Sequence, residues 1–215
     1  MSNNIEDKKG NYEVVRNILS SRYQEVNGYD FYRYIFPDNQ NVGELSGNYS
    51  KPNAIYLYRD EEEDPDRTYR RRIMLNDTWE DDYMNYVECN HKTLCSGLAY
   101  RDKKNRLENA QQMNALVFDL DSVGENELEN LLLRMSKKPG LRTLPEPTFI
   151  VMSGTGLHIY YVFDRPVALY PNIKLQMKAL KYDLTFKMWE YKATSKEKQI
   201  QYQSINQGFR MVGSI

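Results

Sequence analysis

The stretch Asn114 to Ser122, NALVFDLDS, decides how the chain reads. NALVF is a short apolar run of the buried-strand type, and it ends in Asp119, Leu120 and Asp121. Ser122 and Glu125 then stand at capping-box spacing, while Leu128, Leu131, Leu132 and Met135 fall at i, i+3, i+4 and i+7. A helix is therefore expected just after the acidic pair, stopped by Lys137, Lys138, Pro139 and Gly140. The order is strand, acidic turn, helix.

Downstream, Thr148 to Met152 and Leu157 to Phe163 are β-branched and aromatic runs separated by Ser153-Gly154-Thr155-Gly156, which is a hairpin signal. After Pro171 a second long helix is expected, with Ile173, Met177, Leu180, Leu184 and Met188 tracing its core stripe. The final QSINQGFRMVGSI stops mid-pattern, and the natural protein is expected to continue past Ile215.

Upstream the signals are weaker. Val15, Ile18, Leu19 and Val26 suggest an amphipathic helix over 12–26, the Gly-, Asn- and Tyr-rich 27–52 reads as loop, and Ala54 to Tyr58 as a strand. Asp60 to Arg72 sets an acidic block against a basic one around Pro65. It reads either as a solvated loop or as one whose Arg70, Arg71 and Arg72 open the strand IML and touch a nucleic-acid backbone.

The 215 residues suffice for one large domain or two small ones without disulfides. No apolar run approaches the roughly 18 residues of a membrane span, which excludes that class. With 29 basic against 30 acidic side chains, any nucleic-acid surface must be a local patch. A polar N-terminus without a signal pattern and two cysteines lead to the expectation of a cytoplasmic protein. Cys89, His91 and Cys95 form a C-x-H-x3-C cluster that falls short of the four ligands of a structural zinc site, so buried thiols are expected instead.

Residues i and i+2 on an extended segment share a face, so Asp119 and Asp121 can aim both carboxylates at one point above a strand end. Hard anionic oxygens placed so suit Mg²⁺ or Mn²⁺, usually completed by substrate phosphates. The alternative is that Asp121 merely shapes the turn. In SGTGLH, Gly154 and Gly156 allow close backbone approach to a phosphate, Ser153 and Thr155 offer hydroxyls, and His158 can donate to a phosphate oxygen. Bare turn chemistry and a satisfied core histidine are the structural alternatives.

VFDLDS followed about thirty residues later by SGTGLHIYYVF resembles the archaeo-eukaryotic primase superfamily, with its acid-x-acid pair on one strand and small-x-His motif on a later one. The resemblance runs from about Ser96 to the C-terminus and is closest to primases of bacterial mobile elements. It implies an α+β primase-polymerase fold, a mixed or antiparallel sheet flanked by helices, to which the chain's own pattern adds a helical, loop-rich N-terminal portion. It sets residues 1–95 as that portion and 96–215 as the catalytic core. It implies two divalent ions held by Asp119 and Asp121, His158 on the incoming nucleotide's phosphates, nucleoside triphosphates as substrates, a single-stranded DNA template and an associated replicative helicase or helicase domain. Where the family carries a third carboxylate this chain has Asn206, a neutral ligand, with Asp183 as the nearby acidic substitute; Arg210 resembles the family's phosphate-clamping basic residue. Arg70, Arg71, Arg72 and Arg101, with stacking tyrosines, are the candidate template contacts.

Two other readings compete. One is a lapsed domain that binds nucleic acid without catalysis, motivated by Asn206. The other is a haloacid-dehalogenase-like phosphatase, which also places D-x-D between an apolar strand and a helix, although Ser122-Val123 stands where that family favours Gly-Thr.

Overall fold

The computed structural model describes residues 3–37, 52–59, 71–74, 81, 83–88, 92–101, 104–136 and 144–214. The helices are α1 (Asn3–Arg22), α2 (Gly28–Ile35), α3 (Glu125–Met135) and α4 (Pro171–Met188). The strands are β1 (Asn53–Arg59), β2 (Arg71–Met74), β3 (Lys92–Tyr100), β4 (Ala110–Leu120), β5 (Phe149–Met152), β6 (Leu157–Ala168) and β7 (Phe209–Arg210). The fold is α+β, an antiparallel sheet flanked by helices, and every pairing with a described register is antiparallel. No helix among the described residues is long and apolar enough to cross a membrane.

The chain divides into two compact units. The first comprises Met1–Glu25, Val117–Tyr161 and Lys178–Gln203; the second Val26–Leu116, Val162–Met177 and Ser204–Ile215.

In the first unit the strand order is β4-β6-β5. Leu128, Leu131, Leu132 and Met135 line the buried face of α3, as their spacing requires, each burial worth about 1.5–3 kcal/mol. α1 packs against α3. β5 and β6 form the expected hairpin, closing on a Met152–Leu157 pair with Ser153 N–H donating to the Gly156 carbonyl at 3.0 Å.

The cap of α3 differs from the expectation. The N-cap is Gly124, whose N–H donates to the Glu127 carboxylate at 3.0 Å, and Ser122 instead takes a positive φ of 53°. Ser122 is drawn out of the cap by residues distant in sequence: its hydroxyl donates to Glu197 at 2.5 Å and its carbonyl accepts from Lys196 N–H at 3.1 Å. The stop at 137–140 lies outside the described residues.

α4 is where expected but turned. Its buried residues are Met177, Lys181, Thr185 and Met188, whereas Leu180 is exposed and Ile173 and Leu184 are half-buried. Thr185 is tolerated inside because its hydroxyl donates to the Lys181 carbonyl one turn back, at 2.8 Å.

In the second unit the order is β2-β1-β3-β4, with β7 pairing β3. Along β3, Leu98 to Tyr100 pair with β4 while Leu94 and Cys95 pair with β7, so the two share the strand's hydrogen-bonding groups. Residues 28–35 form helix α2 rather than loop. Asn27 caps it, accepting from Asp30 N–H at 2.8 Å, and Phe31, Tyr32 and Ile35 are buried. The first helix ends at Arg22, leaving Val26 outside it and exposed. Tyr32, Tyr56, Tyr83 and Tyr100 serve as core here. Tyr83 donates to the Val212 carbonyl at 2.8 Å while Tyr32 Oη accepts from Val212 N–H at 3.0 Å, so two hydroxyls satisfy one residue's backbone.

Candidate active site

Asp119 is the penultimate residue of β4 and Asp121 follows the strand, while His158 is the second residue of β6. Pairing of β4 with β6 sets these ends side by side, all within the first unit. His158 Nε2 stands 3.6 Å from Asp119 Oδ1, an ion-pair rather than a hydrogen-bond distance, and His158 is only 5% exposed. Burial first, then the Asp121 charge, push Asp119 up to about 6, while the Lys181 charge pulls the other way.

The glycines of the hairpin have different tasks. Gly154 has φ of 102° and open space around its α-carbon, so it makes the turn and leaves an uncovered backbone. Gly156 meets β4: a Cβ there would lie 2.4 Å from the Leu120 carbonyl oxygen. Its close approach is to this chain's own backbone, not to a phosphate. Thr155 is exposed, Ser153 half-buried, and the Thr155 carbonyl accepts from Val123 N–H at 2.9 Å, which ties the turn to the segment after Asp121.

Three site residues went unseen in the sequence. Lys181, on the inner face of α4, is 1% exposed; burial pushes its ammonium down to about 7, with Asp119 opposing. Gln203 donates through Nε2 to the Asp119 carbonyl at 3.4 Å, and Ser195 donates to the Asp121 carbonyl at 2.7 Å. The only local signal was that Lys181 lies one turn from Met177 on a helical stripe; Gln203 and Ser195 carry none.

The donor set fits a hard cation. Asp119 Oδ1 and Gln203 Oε1 are buried acceptors to which nothing among the described residues donates a hydrogen bond. Such oxygens are costly to leave unsatisfied, and Mg²⁺ or Mn²⁺ would satisfy them. Among the described residues no group of three His, Cys, Asp or Glu could hold a metal ion, so an ion here would depend on Asp119, Asp121 and neutral oxygens.

Asp183 is exposed on α4, two residues from the buried Lys181 and so on the opposite face of the helix. Asn206 belongs to the second unit, where its Oδ1 accepts from the Ser204 hydroxyl at 2.5 Å. Arg210 is exposed on β7 and Arg101 is exposed after β3, both also in the second unit. Arg71 and Arg72 lie on β2, in register with Tyr58 and Leu57, and Arg70 is outside the described residues. So are Cys89 and His91; Cys95 is buried on β3, where burial pushes its thiol up to about 12. A cavity of about 230 Å³ in the second unit, between α2 and β6 residues such as Tyr34 and Phe163, is lined by none of the acidic cluster.

No family model matches the chain, and no curated protein matches it. Among solved structures the chain is similar to the AEP domain of the cyanophage S-2L primase-polymerase, at a TM-score of 0.40 and 14% identity, over 78% of this chain and 84% of that one. A likeness of that degree carries no functional argument by itself.

Proposed function

We propose that the chain is a template-dependent primase-polymerase domain performing metal-dependent nucleotidyl transfer in the replication of a mobile element. The supporting observation is the approach of His158 Nε2 to Asp119 Oδ1, 3.6 Å apart, beside Asp121. Sheet pairing brings the two strand ends together, and what stands there is two acids and an imidazole, side chains that a packed strand end does not call for.

Asp119 and Asp121, with Gln203 Oε1 beside them, would hold Mg²⁺ or Mn²⁺. When bound, the metal supplies Lewis-acid activation of a 3′-hydroxyl and of the triphosphate it attacks. His158 donates to a phosphate oxygen and fixes the triphosphate against the acidic pair; no proton transfer to carbon or oxygen is asked of it. The hydroxyls of Ser153 and Thr155 and the open backbone at Gly154 offer further donors to the same phosphates. Arg210 is proposed to contact nucleotide phosphates, and Arg70, Arg71, Arg72 and Arg101 the single-stranded template, with a replicative helicase as the expected partner.

A second reading, a nucleic-acid-binding module without catalysis, is favoured by the Ser204 hydroxyl that engages Asn206 Oδ1 and by the missing third acid among the described residues. Incubation with a single-stranded template, Mg²⁺ or Mn²⁺ and labelled nucleotides tests both. Oligomers that disappear with Asp119→Ala/Asp121→Ala support the enzyme. DNA binding without any metal-dependent nucleotide signal supports the module, and template-free hydrolysis of small phosphate esters supports a phosphatase.

A further inference from the structure

Lys178, Tyr182 and Phe186 stand at i, i+4 and i+8 on α4, so they follow one line along the helix, beside the face that buries Met177, Lys181 and Thr185. The Tyr202 ring, from the segment after the helix, lies 5.1 Å from the Tyr182 ring at 48° to it, and the Lys178 ammonium sits 5.6 Å from the Tyr182 ring centroid. All four residues belong to the first unit. Phe186 is 64% exposed and Tyr202 47%, so these rings contribute little to a core. The lysines around them give the segment its charge. From Lys178 to Gln203 the exposed ones are Lys178, Lys187, Lys192, Lys196 and Lys198, whereas of the acids in that span Glu190 faces Arg134 at 3.6 Å and Glu197 accepts from the Ser122 hydroxyl. A local basic excess thus surrounds open aromatic faces in a chain whose overall charge is nearly balanced.

We propose that Tyr182, Phe186 and Tyr202, with Lys178, form a stacking platform for single-stranded nucleic acid on the outside of α4. This deepens the proposed function: it rests on the nucleic-acid part of that reading and on none of its chemistry, and it gives the strand a surface other than the arginines. Rings beside ammonium groups suit a partner that carries flat π-faces and phosphates at short, regular intervals. A duplex hides its base faces, and an anionic lipid surface has none. Stacking reads no base edge, so the platform accepts any sequence. Gln203, next in the chain to Tyr202, donates to the Asp119 carbonyl at 3.4 Å, so the platform ends beside the acidic pair.

The test is fluorescence anisotropy of a labelled oligothymidylate titrated with the chain in metal-free buffer, for wild type, Phe186→Ala, Phe186→Ala/Tyr202→Ala, Tyr202→Phe and Lys178→Met. An abasic strand of the same length and a duplex are the competitors. Phe186→Ala is expected to weaken binding about fivefold or more and the double variant about thirtyfold or more, while Tyr202→Phe, which keeps the ring, binds as wild type does. Lys178→Met should lower the slope of log affinity on log salt by about 0.7. Phe186 is open to solvent, so its truncation leaves the core intact and unchanged binding in that variant overturns the proposal. An abasic strand or a duplex that competes as well as the oligothymidylate also overturns it, because charge alone then holds the strand, and neither measurement needs a variant to fold. Preference for anionic phospholipid vesicles over the strand overturns it in favour of a membrane surface. Template-directed synthesis that is untouched by Phe186→Ala/Tyr202→Ala overturns the platform and leaves the proposed function standing; ring-dependent strand binding by a chain that makes no oligomers supports the platform and removes the chemistry.

Discussion

Gly156 and Leu120 meet backbone to backbone: a Cβ on the glycine would stand 2.4 Å from the Leu120 carbonyl oxygen and 3.0 Å from Asp121 Cα. No L side chain fits that gap without separating the hairpin from the end of β4, and the hairpin carries His158 while β4 carries Asp119. Gly156→Ala is therefore expected to cost about 1–3 kcal/mol and to widen the Asp119–His158 separation. Gly154→Ala meets nothing in space and suffers only from its φ of 102°, about 1–2 kcal/mol. Thermal unfolding should show comparable losses for both, whereas nucleotide binding should fall steeply only for Gly156→Ala. Equal binding losses would disprove the division of labour.

The buried charges give the metal-free chain an unusual pH profile. Asp119 is held at about 6 rather than 3.8, so between those values the folded state binds more protons than the unfolded, and stability falls as pH rises, by on the order of 3 kcal/mol. Lys181 is held at about 7 rather than 10.5, so across that window the unfolded state binds more protons and stability rises with pH. These two groups together contribute a minimum between about pH 6 and 7. Melting temperature against pH should lose its falling limb in Asp119→Asn and its rising limb in Lys181→Met.

Much of this site was legible because its frame is local. NALVFDLD, the leucine spacing of α3 and the glycine hairpin each announce themselves within a dozen residues, and they place Asp119, Asp121 and His158. What stayed hidden depends on contacts between distant segments. Helix α2 was masked by Gly28, Tyr29 and Asp30, residues that read as loop until Asn27 caps them and Phe31 and Ile35 find a core. The rotation of α4 is not fixed by its own sequence, because Leu180 and Leu184 fit a helical stripe as well as Lys181 and Thr185 do, and only tertiary contacts choose between stripes. Gln203 reaches Asp119 across 84 residues, a relationship no window along the chain contains.

His158 is expected to serve substrate binding more than the chemical step. His158→Asn should raise the KM for nucleoside triphosphate about tenfold, the worth of one charge-assisted hydrogen bond of ~1.5 kcal/mol, with Mn²⁺ affinity unchanged. Steady-state kinetics beside Mn²⁺ titration check this. A collapse of metal binding in the variant would mean that the imidazole is a ligand or a support for Asp119 and not a phosphate contact.

Gln203 offers the sharpest reversal of sign. Its Oε1 is buried with no donor among the described residues, and its Nε2 holds the Asp119 carbonyl. Gln203→Leu should cost about 1 kcal/mol for the lost hydrogen bond and weaken Mn²⁺ binding modestly. Gln203→Glu keeps the shape but adds a third carboxylate to a cluster that already strains to ionise Asp119. Without metal it should lower the melting temperature at neutral pH, through like-charge repulsion in a partly buried site. With Mn²⁺ it should regain that loss and exceed wild type, because a charged oxygen binds a hard cation more tightly than a neutral one. Melting curves with and without Mn²⁺ decide the matter: a glutamate that destabilises equally in both conditions would place Gln203 outside the metal's reach, and one that costs nothing in either would place it in water.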